Sequence, residues 1–392
     1  MPPHHPTVDR LRPFSSTIFA EMTELALRHG AVNLGQGFPD TDGPARMLEV
    51  AREAIAEGLN QYPPGRGMPV LRRAVAADRA RRYGTAYDPD TEVLVTVGAT
   101  EAISAALLGL VEPGSEVVLI EPYYDSYAAA VALAGAHRRT ARLVPDGDGF
   151  VLDIDSLRAA VTPATRMIVV NSPHNPTGTV LGRADLTAIA EIACANDLLV
   201  LADEVYEHLV YDDAEHVPLA TLPELADRTV SISSAGKTFS FTGWKVGWAT
   251  GPATLVSDVL AAKQWLTFTN AAPLQPAVAH ALDHEMAYVE ALAGELRTKR
   301  DLLCDGLAGL GLDPVRPAGT YFVLSDVGSL GWADGMEFCL ALPERAGVVA
   351  IPAQAFYDDV EAGRHLVRWA FCKDTAVLEQ ALDQLRTADL RA

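Results

Sequence analysis

Between residues 90 and 250, short apolar runs alternate with helix-like stretches. Residues 92–98 read as a strand, and 99–110 as the helix that follows it. Residues 117–120, 167–170, 198–202, 229–232 and 246–249 are further apolar runs of strand length. They are almost continuous in Val, Leu, Ile and Ala and do not alternate with polar positions. A strand reads this way when both of its faces are covered, as in a parallel sheet between helices. The pattern therefore predicts an α/β fold whose large domain has a mostly parallel sheet with helices on both sides.

The last hundred residues carry a different pattern. Residues 285–307 read as one long helix, and 321–324, 348–351 and 366–371 as strands, with helices between and after them. This predicts a smaller α+β domain. The first forty residues have no clear partner nearby and are expected to pack with it. The expected organisation is an N-terminal segment at 1–40, a large domain at 41–285 and a small domain at 286–392. No internal repeat is evident.

Composition narrows the function classes. The chain has 392 residues, 49% of them hydrophobic, which is ample for a large core. It carries 51 acidic residues against 31 Lys and Arg, a formal charge of −20. Phosphate contacts need a basic patch, so a nucleic-acid-binding role is not expected. No apolar run approaches a membrane span. The four cysteines (Cys194, Cys304, Cys339 and Cys372) form no CxxC pair and read as reduced thiols of a cytoplasmic protein. The opening residues have prolines and histidines but no apolar core, so a signal peptide is not expected. His4 and His5 fit a disordered start better than a metal site.

Polar elements follow directly after the apolar runs, where α/β sheets gather ligand groups. Gly98-Ala99-Thr100 opens a helix. Its N–H groups and dipole suit a phosphate, although a plain helix cap reads the same way. No P-loop or GxGxxG fingerprint is present, which argues against ATP or NAD. Asn175-Pro176-Thr177-Gly178 has the composition of a turn. Asp203 ends a Leu- and Val-rich run, where it would need a cation such as a protonated pyridine, or would cap a helix. Glu204, Glu207 and His208 lack a recognised metal spacing, so no metal is expected. Arg368 lies inside a strand and wants an anion, either a structural carboxylate or a substrate carboxylate.

Lys237 is the most telling residue. It lies in Ser233-Ser234-Ala235-Gly236-Lys237-Thr238-Phe239, shortly before Gly243-Trp244-Lys245-Val246-Gly247. Only five of the 31 basic residues are lysines, and two of them lie here. Arginine cannot take the place of a lysine that condenses with a carbonyl, because its guanidinium stays protonated.

In order and spacing these elements closely resemble the fold-type I, pyridoxal-phosphate-dependent aminotransferases, over nearly the whole chain. Asn33-Leu-Gly-Gln-Gly-Phe-Pro-Asp40 and Asn60-Gln-Tyr62 resemble the kynurenine/glutamine transaminase branch. Ser172-Pro-His-Asn-Pro-Thr-Gly178 is similar to actinobacterial N-succinyldiaminopimelate aminotransferases.

The resemblance implies pyridoxal 5′-phosphate held covalently by Lys237, with Asp203 on its ring nitrogen. It places Asn175 and Tyr206 on the phenolic oxygen and Tyr124 on the ring face. Gly98, Ala99, Thr100, Ser234 and Lys245 belong to the phosphate site, where many relatives carry arginine in place of Lys245. It implies a homodimer in which Tyr62 reaches the neighbouring subunit's phosphate. Arg368 clamps the substrate α-carboxylate with Asn175, and Gly37 lines the substrate side.

The implied reaction is ping-pong transfer of an amino group from an amino acid to a 2-oxo acid. The best substrate assignment is N-succinyl-LL-2,6-diaminopimelate with 2-oxoglutarate, in lysine biosynthesis. The alternatives are a kynurenine, glutamine or methionine transaminase, or a cysteine-S-conjugate β-lyase. Phe14, Trp265, Phe268, Tyr321 and Phe356 are candidate walls for the substrate side chain, and Arg66 and Lys263 candidate cations.

Overall fold

The computed structural model describes residues 7–147 and 149–392. His4 and His5 lie outside the described residues. An eight-stranded sheet forms the centre of the large domain. Its spatial order is Val93–Thr96, Gly247–Thr250, Thr229–Ser234, Leu199–Asp203, Thr165–Asn171, Glu116–Glu121, His137–Asp146 and Gly149–Leu152. The pairings from Thr229–Ser234 across to His137–Asp146 are all parallel. Gly247–Thr250 runs antiparallel to both of its neighbours, and Gly149–Leu152 folds back on His137–Asp146.

The continuous apolar runs follow from burial on two faces. Val117, Leu119, Met167, Val169 and Leu201 pack on one side with Ala102, Leu107 and Val259. Their neighbours Val118, Ile120, Ile168, Val170 and Val200 pack on the other side with Leu186 and Ile189. That second core continues into a four-stranded antiparallel sheet of Asp313–Val315, Phe322–Asp326, Leu366–Ala370 and Ile351–Pro352.

Three differences from the sequence pattern have physical causes. His137–Asp146 and Gly149–Leu152 lie at the sheet edge, and the first carries exposed His137, Arg138 and Arg139, so no apolar run marks it. The run at 348–351 divides at Ala350. Val348–Val349 pairs with Val32–Asn33, whereas Ile351–Pro352 pairs with Leu366–Ala370. Asp313–Val315 is a short edge strand with no fully buried residue. The long helix runs Met286–Ala308.

The parallel order brings the site together. Ser234, Asp203 and Asn171 end three adjacent strands. The helix Gly98–Leu110 packs across this part of the sheet with its first turn at the same edge.

Candidate active site

A cavity of about 360 Å³ opens at these strand ends. This lies in the range of small-molecule sites. Of the residues expected to hold the cofactor and the substrate carboxylate, all but Tyr62 line it.

One end of the cavity is built for an anion. Gly98 opens the helix at φ +75°, a conformation other residues rarely adopt. A Cβ there would lie 3.2 Å from the Lys245 amine, and one on Gly247 would lie 2.7 Å from the Gly98 carbonyl carbon. The two glycines therefore let helix start and lysine approach closely. No side chain caps the first turn by hydrogen bond. Glu101 instead reaches back to accept from the Val97 N–H at 2.6 Å. Lys245 makes no ion pair with a carboxylate among the described residues. Free N–H groups, the helix dipole, Thr100, Ser234 and an unpaired ammonium suit a phosphate.

Asp203 sits deeper, 4% exposed. No helix begins after it, because 205–208 form a turn, so it does not act as a helix cap. It accepts from the Tyr127 hydroxyl at 2.6 Å and from the Val205 N–H at 3.2 Å. Burial pushes its carboxyl up to about 6, against these two bonds and the charge of Lys237. No ion pair offsets its charge among the described residues. A protonated ring nitrogen in the cavity would supply the missing cation.

Lys237 follows the strand Thr229–Ser234 by one short turn. Its amine donates to the Tyr321 hydroxyl at 2.5 Å and to the Gly37 carbonyl at 3.2 Å. Burial lowers its ammonium to about 8, helped by the positive charges of Arg368 and Lys245. A neutral amine is therefore accessible near neutral pH. The Tyr206 ring lies 5.6 Å from this amine and packs edge-on against Tyr321.

Arg368 is 1% exposed and has no carboxylate partner among the described residues. It donates to Asn175 Oδ1 at 3.0 Å and to the Gly35 carbonyl at 2.8 Å, and its Nε has no partner. Phe322, Phe19 and Phe356 surround the guanidinium at 4.1, 5.0 and 5.1 Å. Burial lowers it to about 10. The alternative of a structural salt bridge therefore finds no acid, and the arginine faces the cavity with donors to spare. Asn175 is itself held by Asn171, whose Oδ1 accepts from the Asn175 N–H at 2.8 Å.

Other candidates fall elsewhere. Tyr62 is 82% exposed and packs edge-on against Phe268, away from the cavity. Phe14, Trp265, Phe268, Tyr321, Phe356, Arg66 and Lys263 do not line the cavity; Phe19 and Phe322 do. The buried Lys263 amine donates to the Phe268 carbonyl at 3.0 Å. Near Glu204 and Glu207 the nearby histidine is His216 as well as His208. Arg79 holds both carboxylates, at 2.7 and 2.6 Å, and occupies the place of a cation. Tyr127, which no chemical signal in the sequence marks, also lines the cavity, as does Asn171 at the start of the polar stretch that runs to Gly178. Tyr127 lies in the first turn of the helix that Tyr124 precedes, and the two rings pack edge-on at 5.7 Å.

A model of the family described as "Aminotransferase class I and II" matches residues 30–385. The Mycobacterium tuberculosis H37Rv protein named "Probable N-succinyldiaminopimelate aminotransferase DapC" is 59% identical over 387 residues, covering 97% of this chain and 98% of its own. A solved structure of N-succinyldiaminopimelate aminotransferase from Mycobacterium tuberculosis superposes with a TM-score of 0.95 at 60% identity, covering 97% of this chain and 99% of the other. Methionine aminotransferase of Escherichia coli K12 is 39% identical over 377 residues, covering 96% of this chain and 97% of its own. The unpaired acid, the amine and the anion cradle agree with what that family's cofactor requires. The chain belongs to the class I and II aminotransferases, enzymes that use pyridoxal 5′-phosphate.

Proposed function

We propose that this enzyme transfers the amino group of N-succinyl-LL-2,6-diaminopimelate to and from 2-oxoglutarate, as a step of lysine biosynthesis in the cytoplasm. The observation that carries the substrate is the similarity to the Mycobacterium tuberculosis aminotransferase over 97% of the chain. Within the described residues no helix is long and apolar enough to cross a membrane.

Pyridoxal 5′-phosphate, when bound, supplies an aldehyde that condenses with amines and a ring that draws electron density from the substrate α-carbon. Ala99, Thr100, Ser234 and Lys245, at the helix start opened by Gly98, hold the phosphate. Asp203 keeps the ring nitrogen protonated by pairing with it. Asn175 and Tyr206 would bond the phenolic oxygen, and Tyr124 would cover the ring face. Lys237 would be the residue that holds the cofactor's aldehyde. Its neutral amine then takes the proton from the substrate α-carbon. Arg368, with Asn175, holds the α-carboxylate and so fixes which bond faces that amine. Release of one keto acid before the next one binds gives ping-pong kinetics.

We place the enzyme as a homodimer in which the partner subunit's Tyr62 reaches the phosphate. Tyr62, Trp265 and Phe268 are 82%, 84% and 56% exposed, an apolar patch that supports such an interface.

One observation favours the alternative of a methionine, kynurenine or glutamine transaminase. Among the described residues, the cations lining the cavity are Lys237, Lys245 and Arg368, all already assigned, which leaves none there for a succinyl carboxylate. Comparison of kcat/KM for the succinylated donor, methionine, kynurenine and glutamine decides. The proposal expects the succinylated donor to lead, and the reverse order sinks it. Pyruvate and ammonia formed from a cysteine conjugate without any keto acid would instead point to the β-lyase.

A further inference from the structure

Lys237 has an arrangement of partners that its neighbours alone determine. Its amine lies 2.5 Å from the Tyr321 hydroxyl and 3.2 Å from the Gly37 carbonyl. The Tyr321 hydroxyl donates to the same carbonyl at 2.6 Å. A phenol has one proton to give. With Gly37 accepting that proton, the Tyr321 oxygen accepts from the amine. The carbonyl can only accept as well. Both contacts use N–H bonds of the lysine, and neither uses its lone pair.

The three groups are held firmly. Tyr321 is 2% exposed and packs edge-on against Tyr206 at 5.2 Å. Its own carbonyl accepts from the Phe371 N–H at 2.9 Å. Burial raises the Tyr321 phenol well above its ordinary value, so it stays a donor to Gly37 across the working pH range. A Cβ on residue 37 would lie 2.5 Å from Phe322 Cζ and 3.1 Å from Tyr321 Cε2. Only glycine lets this carbonyl come so close. The segment around it is fastened at both ends to one stretch of chain. Leu34 accepts from the Ala370 N–H and Gly35 from Arg368, while Phe38 and Asp40 accept from the Lys373 amine.

We propose that the Tyr321 hydroxyl and the Gly37 carbonyl form a two-acceptor dock that receives the Lys237 amine when substrate displaces it. Docked there, the neutral amine has two N–H bonds engaged and its lone pair open to the cavity. The α-carbon C–H bond breaks, its electron pair stays with the substrate, and the proton forms a third N–H bond on Lys237. The two acceptors then stabilise the new ammonium. Tyr321 touches the reacting nitrogen and is thus a catalytic residue, not a wall of the pocket. This inference rests on the reading of Lys237 as the cofactor lysine and base.

Tyr321→Phe keeps the ring and removes only the acceptor. Loss of one hydrogen bond to a charged group predicts a kcat lower by about tenfold with KM changed less than twofold. Acceptors favour the ammonium, so their loss lowers the lysine pKa and moves the acid limb of the kcat profile to lower pH. The same shift is expected without cofactor. Apoenzyme is labelled with an acylating reagent across pH, and the Lys237 peptide is quantified by mass spectrometry. Its midpoint should fall by about half a unit or more, with Tm close to wild type. If the phenylalanine variant folds poorly, 3-fluorotyrosine at 321 weakens the acceptor with little change of shape and should shift the midpoint the same way. Wild-type kcat and an unmoved midpoint in a folded variant would overturn the dock alone. A pyridoxyl label on another lysine after borohydride reduction would overturn the underlying reading instead.

Discussion

Arg368→Met should separate stability from activity. Wild-type Arg368 is a buried cation with no anionic partner among the described residues, an expensive state in a folded protein. Desolvation of such an ion costs several kcal/mol even after relaxation. In return the guanidinium makes two hydrogen bonds, to Asn175 and Gly35, each contributing about 1–3 kcal/mol. Its contacts with Phe322, Phe19 and Phe356 add about 0.5–2 kcal/mol. These terms nearly cancel, and methionine regains contact with the same rings. Of the two freed acceptors, Asn175 lines the cavity and can take water. Unfolding of the apoenzyme in urea should therefore change by no more than about 1 kcal/mol, in either direction. Loss of the charged partner for a buried substrate carboxylate should cost about 3–5 kcal/mol in kcat/KM, or two to three and a half orders of magnitude. A variant destabilised by more than about 3 kcal/mol that still binds a carboxylate inhibitor normally would refute the reasoning. Arg368 would then be a structural cation.

Two further outcomes follow from the same geometry. The Asp203 carboxyl is raised to about 6 in the fold, so native enzyme binds its proton more tightly than unfolded chain does. Its contribution to apoenzyme stability therefore falls as pH rises from about 4 to 6 and stays low above that. Asp203→Asn should make the apoenzyme more stable than wild type in urea at pH 7, by about 2–3 kcal/mol, and equally stable near pH 4, while transamination is mostly lost; a gain independent of pH would contradict this. Lys373→Met removes the amine that holds the Phe38 carbonyl and Asp40 at 2.9 and 3.0 Å. It should raise KM for both amino and keto acids by about three- to tenfold and speed proteolysis in the 36–40 segment, whereas unchanged kinetics and cleavage would show that the latch does not position the loop.

The legible part of the fold was the part buried on two faces. Val117 to Ile120 and Met167 to Val170 announce themselves because neither side of the strand meets water. His137–Asp146 at the edge carries charge outward and has no such signature. The division of 348–351 at Ala350 depends on which neighbours each half meets, and that is a property of the assembled sheet. In the site, residues with a scarce or costly chemistry stood out: Lys237 in an arginine-rich chain, Asp203 after Leu and Val, Arg368 between apolar residues. Tyr127 and Tyr321 did not, because an aromatic beside apolar residues reads as packing until its hydroxyl is seen on Asp203 or Lys237. Glu204 and Glu207 drew attention as ligands, and only the fold shows Arg79, more than a hundred residues away, lying between them.

The central claim is that Lys237 is the amine that carries the cofactor. Reduction of the yellow holoenzyme with borohydride fixes the cofactor on whichever lysine holds it, and peptide mapping reads the position. The pyridoxyl group is expected on Lys237. Finding it on Lys245 or Lys263, with Lys237 unmodified, would contradict it.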